Sequence, residues 1–361
     1  MKTVPKKNGT IELMRFIFCV MVILYHFNNR LMFENGEFFS FFRNGKIGVE
    51  FFFLVSGWLM AKSAQKYKGK PILKSTGNFI YKKFMSILPY HLFIYVICLV
   101  IMIFFLIRNK TGDVFYQVIN TLPNLFFLQK SGIMTNEILT AEWYIAAMLW
   151  MMLIIFPLIL RFGEGFEKIA CLLICILLIG YMSHANNKLG GMNRFVIYDS
   201  IPKAYVRAFA EMCGGVFCFH ISTGLKNFKL TKADRIFLSV VEIVCYVLPI
   251  LYCISVLGQK YEALAFYFLM AAITVSFSET SYLSTFMNNK INYFLGTASL
   301  PLYMAQAVGF AVFLYCSEFK VVSKSITALF FTATTVIFAV LSYFFSKKFS
   351  LNIRKNLRFY K

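Results

Sequence analysis

Apolar residues run along this chain in blocks of roughly 16 to 25, each closed by charge or by a Gly, Pro or Asn cluster, with no sustained alternation of apolar and polar positions. The blocks predict ten helices, over about 11–28, 47–61, 84–107, 141–160, 168–184, 205–221, 235–257, 262–279, 293–316 and 325–346. At 1.5 Å per residue, most are long enough to cross a bilayer. The predicted fold is all-α, a polytopic integral membrane helical bundle with about ten transmembrane helices. The first block follows the polar stretch Met1 to Thr10, but no small-residue cleavage site follows Tyr25-His26-Phe27, so it reads as a retained span. No repeat of 20–50 residues and no long polar stretch breaks the chain, which gives a single domain over 1–361. The longest external segment, about 108–140, carries Leu122-Pro123-Asn124-Leu125-Phe126-Phe127-Leu128 and predicts a re-entrant or interfacial helix there.

Composition sharpens this picture. Residues of the set AVILMFWYC make up 59% of the chain, yet its formal net charge is +21. That combination excludes a disulfide-stapled secreted module, a coiled coil and a disordered basic tail. A nucleic-acid binder would not place its charge between membrane-length apolar runs, so no nucleic acid is expected. With the amino terminus in the cytoplasm, about 23 basic residues fall inside and about 13 outside, and the positive-inside rule then puts both termini in the cytoplasm. The nine cysteines (Cys19, Cys98, Cys171, Cys175, Cys213, Cys218, Cys245, Cys253 and Cys316) all lie in apolar runs without a C-x-x-C pair and read as lipid-facing or core filler. No soluble hydrolase, metalloprotease or P-loop motif occurs, and no His/Cys/carboxylate spacing suits zinc, so no metal is expected.

Ionisable groups inside spans are costly, and each invites a functional reading. Arg15 and His26 lie eleven residues apart in the first span, which brings them within roughly 20° on one helix face and separates them by about 16 Å along the axis. Either Arg15 snorkels to inner phosphates while His26 sits among outer headgroups, or the face carries a working cation and imidazole. Glu50 enters the second span at a depth comparable with His26. It either orients that imidazole or pairs with Lys46. Ser56-Gly57 lies deeper, where small residues favour close helix packing. Lys82 and Lys83 precede Pro89 at the cytoplasmic interface. With Arg15 they form either a three-cation pocket for a phosphorylated ligand or plain topology anchors. Glu142-Trp143-Tyr144 opens the fourth span, as an interface belt or as a wall for a polar acceptor. Glu211 and Glu242 are further intramembrane acids, and His91 reads as a packed polar contact.

These residues resemble the bacterial membrane-bound acyltransferase family 3, which O-acylates surface glycans. The likeness rests on Arg15 and His26 with ten residues between them, and on Gly48-Val49-Glu50-Phe51-Phe52-Phe53-Leu54-Val55-Ser56-Gly57-Trp58-Leu59, close to the family's G-V-[DE]-x-F-F-x-x-S-G-[FYW]. Lys82-Lys83 before Pro89-Tyr90, Glu142-Trp143-Tyr144, and Leu295-Gly296-Thr297-Ala298-Ser299-Leu300-Pro301-Leu302-Tyr303 also fit, so the resemblance covers nearly the whole chain. Two positions depart from it: Ser86 stands where a third arginine is usual, and Gln306 where a histidine often follows.

The resemblance implies acetyl-CoA, or another acyl-CoA, as cytoplasmic donor, and a hydroxyl of a surface glycan or lipid-linked sugar, such as capsule or exopolysaccharide, as acceptor. It implies a bacterial cytoplasmic membrane location among membrane lipids, with a second copy or a glycan-synthesis enzyme as associate. Many relatives carry a soluble esterase-like domain after the last span, and none is expected here. On this reading Arg15, Lys82, Lys83 and Ser56 bind the donor, and Glu142, Trp143 and Tyr144 face the acceptor. His26 serves as base with Glu50 orienting it, either for direct transfer or through an acyl-histidine relay. The rival class is a membrane carrier or flippase for a glycan or lipid-linked sugar without covalent chemistry.

Overall fold

The computed structural model describes residues 7–31, 42–110, 112–131, 138–186, 189, 195–196, 200–315 and 324–359. The chain is helical nearly throughout. Long helices are α1 (Gly9–Leu31), α2 (Gly48–Ala64), α3 (Ile72–Asn109), α5 (Trp143–Gly165), α6 (Cys171–Asn186), α7 (Lys203–Leu225), α8 (Lys232–Ile254), α9 (Glu262–Ser278), α11 (Lys290–Tyr315) and α12 (Lys324–Phe359). Short helices α4 (Val114–Ile119) and α10 (Tyr282–Phe286) lie between them, with one two-residue ladder pairing β1 (Phe195–Val196) and β2 (Ile201–Pro202). Among the described residues, eight helical segments are long and apolar enough to cross a membrane. One of them, Trp143–His184, contains both α5 and α6, because the chain reverses near Gly163, whose φ of +57° breaks the helix. The ten expected helices are all present, and the chain forms a multi-pass helical bundle.

Several features differ from expectation; α12, for one, runs on to Phe359, thirteen residues past the expected end at 346. Helix α3 begins at Ile72, directly after Pro71, so Lys82 and Lys83 lie a third of the way along a continuous helix rather than ahead of it. Proline is well suited to the start of a helix, and Gly77, between Pro71 and Pro89, does not interrupt it. Within the segment expected to hold a re-entrant or interfacial helix, Leu122–Phe126 forms a single short 3-10 helix. The eight described cysteines are free and buried, packing the core rather than facing lipid, and Cys316 lies outside the described residues.

Successive long helices alternate in direction. We call the end where α1 starts the near end. Helices α1 and α11 run parallel, with Cys19 Sγ donating to the Ser299 carbonyl at 3.1 Å and His26 beside Phe310. Helix α2 runs toward the near end beside α7, and two glycines let these backbones meet. A Cβ at Gly57 would stand 2.1 Å from the Met212 carbonyl oxygen, and one at Gly215 equally close, at 2.1 Å, to that of Leu54. A network at the near end ties the start of α1 to the bundle: Asn8 Nδ2 donates to the Ser276 carbonyl at 2.7 Å, while Ser276 Oγ donates to Glu242 at 2.6 Å. The intramembrane acid Glu242 is therefore a structural acceptor, holding Ser276 and Ser281.

Candidate functional site

Helices α1, α2, α3, α5 and α11 enclose a cavity of about 340 Å³, and its lining is graded along the bundle axis. Lys7, Arg15 of α1 and Lys83 of α3 stand at the near end. The far end is aromatic: the last lining residue is Phe52 on α2, Tyr90 on α3, Tyr144 on α5 and Tyr303 on α11. Apolar side chains such as Val55, Ile87, Met148 and Leu300 form the barrel between, with Ser56, Ser86, Thr297 and Ser299 interspersed. On α2, α3 and α11 the lining extends over seven residues, about 10 Å of helix.

Two of the near-end cations share one carboxylate. Arg15 Nη1 lies 3.3 Å from Glu12 Oε1, and Lys7 Nζ lies 4.0 Å from Glu12 Oε2 while donating to Thr297 Oγ1 at 2.9 Å. Glu12 reaches this position because residue 296 is glycine; a Cβ there would stand 2.0 Å from Glu12 Oε2. Three cations against one carboxylate leave a positive surplus at the mouth, the charge that phosphate oxygens require.

The predicted donor-site residues divide. Arg15, Lys83 and Ser56 line the cavity, and Ser56 Oγ lies 3.1 Å from Met148 Sδ. Lys82 does not line it: its Nζ lies on the outer surface, 3.3 Å from the Tyr67 hydroxyl. Adjacent helical residues point about 100° apart, so Lys82 and Lys83 cannot both face inward. Lys7 takes the third place instead. Ser86, at the position of the family's usual third arginine, also lines the cavity.

His26 is half-buried beyond the cavity, with its ring edge-on to Phe310 at 6.2 Å and to Tyr25 at 5.2 Å. Phe310 is seven residues past Tyr303 on α11, so the imidazole stands about 10 Å beyond the aromatic end wall. The expected link from Glu50 to His26 is not formed. Glu50 is fully buried and ion-paired with Arg207 of α7, whose Nε also holds Glu211 Oε1 at 2.6 Å. Nor does Glu50 pair with Lys46, which binds Glu262 at 3.0 Å. The close α2–α7 packing delivers a guanidinium to Glu50, and a desolvated carboxylate takes the nearest fixed cation.

Glu142, Trp143 and Tyr144 do not form one wall. Glu142 Oε2 is 2.6 Å from His91 Nδ1, and both side chains are buried completely. Trp143 packs 5.7 Å from the Arg207 guanidinium, and only Tyr144 reaches the cavity. Gln306 is buried on α11, its amide donating to the Tyr303 carbonyl at 2.8 Å.

Sequence reasoning missed Glu12, Lys7 and Arg207. Arg207 falls inside the predicted 205–221 span, four residues before Glu211. An i,i+4 Arg–Glu pair inside an apolar run was the signal that could have found it. Lys7 and Glu12 carried no comparable signal, since charges at the start of a span are ordinary.

Apolar helices packed around a cavity with a basic mouth define a multi-pass helical membrane protein. The family model for acyltransferase 3, described as an acyltransferase domain, matches residues 8–347, and the chain belongs to that family: it is a membrane acyltransferase. No curated protein and no solved structure matches the chain.

Proposed function

We propose that the chain is an O-acetyltransferase of the bacterial cytoplasmic membrane, taking the acyl group from acetyl-CoA on the cytoplasmic side and placing it on a hydroxyl of a surface polysaccharide or its lipid-linked precursor. The observation that carries this reading is the graded cavity, cationic at the near end and aromatic at the far end. Its polarity matches a CoA thioester entering head-last: Lys7, Arg15 and Lys83 take the phosphates, and the apolar barrel takes the pantetheine arm. With the near end in the cytoplasm, both termini lie there too, in keeping with the charge asymmetry.

His26 is the base in this scheme. The phosphates rest at the level of Arg15, and an extended pantetheine arm covers about the 16 Å to the level of His26, passing the aromatic wall. The acceptor hydroxyl oxygen attacks the thioester carbonyl, the C–S bond breaks, and His26 takes the hydroxyl proton and returns it to the departing thiolate. Glu50 has no direct part. It holds Arg207 and so fixes the helix pair that carries Phe52.

The test is acetyl transfer by membranes carrying His26→Ala or Arg15→Ala at verified expression. His26→Ala should abolish transfer while leaving CoA binding intact, and Arg15→Ala should weaken CoA binding. Retained transfer by His26→Ala overturns the assignment of the base.

A further inference from the structure

The far end of the cavity is a partition of interlocked rings. Phe52 stacks on Tyr144 with centroids 5.7 Å apart, Tyr144 meets Tyr303 edge-on at 4.7 Å, and Phe52 meets Tyr303 at 6.4 Å. These rings come from α2, α5 and α11, so each is braced by a different helix. All three are at most 9% exposed. The Tyr303 hydroxyl is tied to the Ala141 carbonyl, which pins that ring to the segment before α5. Phe52 is the one ring of the three without a polar atom, and Phe51 and Phe53 beside it are fully buried.

The cavity is about 10 Å deep, and His26 stands about another 10 Å past the partition. Phe52, Tyr144 and Tyr303 end the lining, so a straight path along the bundle axis from the near end to the level of His26 meets these rings. Interiors packed to this density yield in discrete rotamer steps, and the cost of passage grows with the cross-section that must pass.

Resting on the acyl-CoA reading of the cavity, we propose that Phe52, Tyr144 and Tyr303 form a selectivity partition that sets acyl-chain length, admitting a two-carbon acyl group toward His26 and excluding longer ones. Phe52 is the determining residue, because trimming it opens space without removing a hydrogen bond. Tyr144 and Tyr303 position it.

The experiment uses the full chain in membrane vesicles and measures release of CoA thiol from acetyl-CoA and from hexanoyl-CoA, with the glycan of the vesicles as acceptor, for the wild type, Phe52→Leu and Phe52→Ala. CoA binding is measured alongside on the purified proteins. The wild type should use acetyl-CoA at least tenfold better than hexanoyl-CoA. The hexanoyl-to-acetyl ratio should rise at least tenfold in Phe52→Ala and by a smaller factor in Phe52→Leu. A ratio unchanged in both variants overturns the partition while leaving the donor reading intact. So does loss of acetyl use in both with CoA binding retained, which would make Phe52 part of the seat for the donor. A wild type that neither binds CoA nor releases thiol from any acyl-CoA removes the donor reading itself, and the partition with it.

Discussion

The charge surplus at the cavity mouth makes a graded prediction for donor affinity. Among the described residues, Glu12 is the one carboxylate paired with Lys7 and Arg15 at this mouth, and the Arg15 side chain is 31% exposed, so solvent screens the site in part. A unit charge about 6 Å from a phosphate contributes about 2.8 kcal/mol at an effective dielectric of about 20, and physiological salt roughly halves this. About 1.4 kcal/mol remains, which is tenfold in Kd. Lys83→Met should therefore weaken CoA binding about tenfold. Arg15→Met should weaken it further, by about ten- to a hundredfold, because it also leaves the Glu12 carboxylate facing the phosphates. Glu12→Gln should tighten it by about three- to tenfold. Calorimetric titration of the purified protein with CoA, and with pantetheine as a control without phosphates, reads all three. The differences should shrink with added salt, and pantetheine affinity should stay level. Values of Kd for CoA that remain within about twofold across the series, or pantetheine affinities that move in parallel, would refute the placement of phosphates at this mouth.

Other expectations follow from the buried pairs and close helix contacts. Glu142→Ala leaves the buried His91 Nδ1 without its hydrogen-bond partner and should cost about 1–3 kcal/mol, read as a lowered thermal midpoint in detergent. The double variant with His91→Leu should recover part of that loss. Glu50→Gln should lower stability, since it weakens the tie to Arg207, while leaving the pH dependence of transfer unchanged; a shifted pH profile would restore Glu50 to a role beside His26. Gly57→Leu forces a side chain into the Met212 backbone and should eliminate monodisperse folded protein in size-exclusion chromatography.

The helices were legible in the sequence because membrane-length apolar blocks carry their own boundaries. Arg15 and His26 stood out for the same reason: a charge within such a block is rare and its depth can be counted in residues. Partners across helices were not legible. The rotation that turns Lys83 inward and Lys82 outward depends on how α3 packs, and the match of Glu50 with Arg207 depends on two glycines that bring α2 against α7. The aromatic partition was hidden for a different reason. With 43 Phe and 20 Tyr in the chain, nothing marks Phe52, Tyr144 and Tyr303 until three separate helices bring their rings together.

In the proposed function this cavity delivers an acyl group to a sugar hydroxyl. Sealed inside-out vesicles from cells carrying the chain, supplied with acetyl-CoA labelled in the acetyl group, test it most directly. Alkali-labile label should appear on surface glycan or its lipid-linked precursor and be lost with His26→Ala. Translocation of that sugar with no label transferred would contradict it and establish a carrier instead.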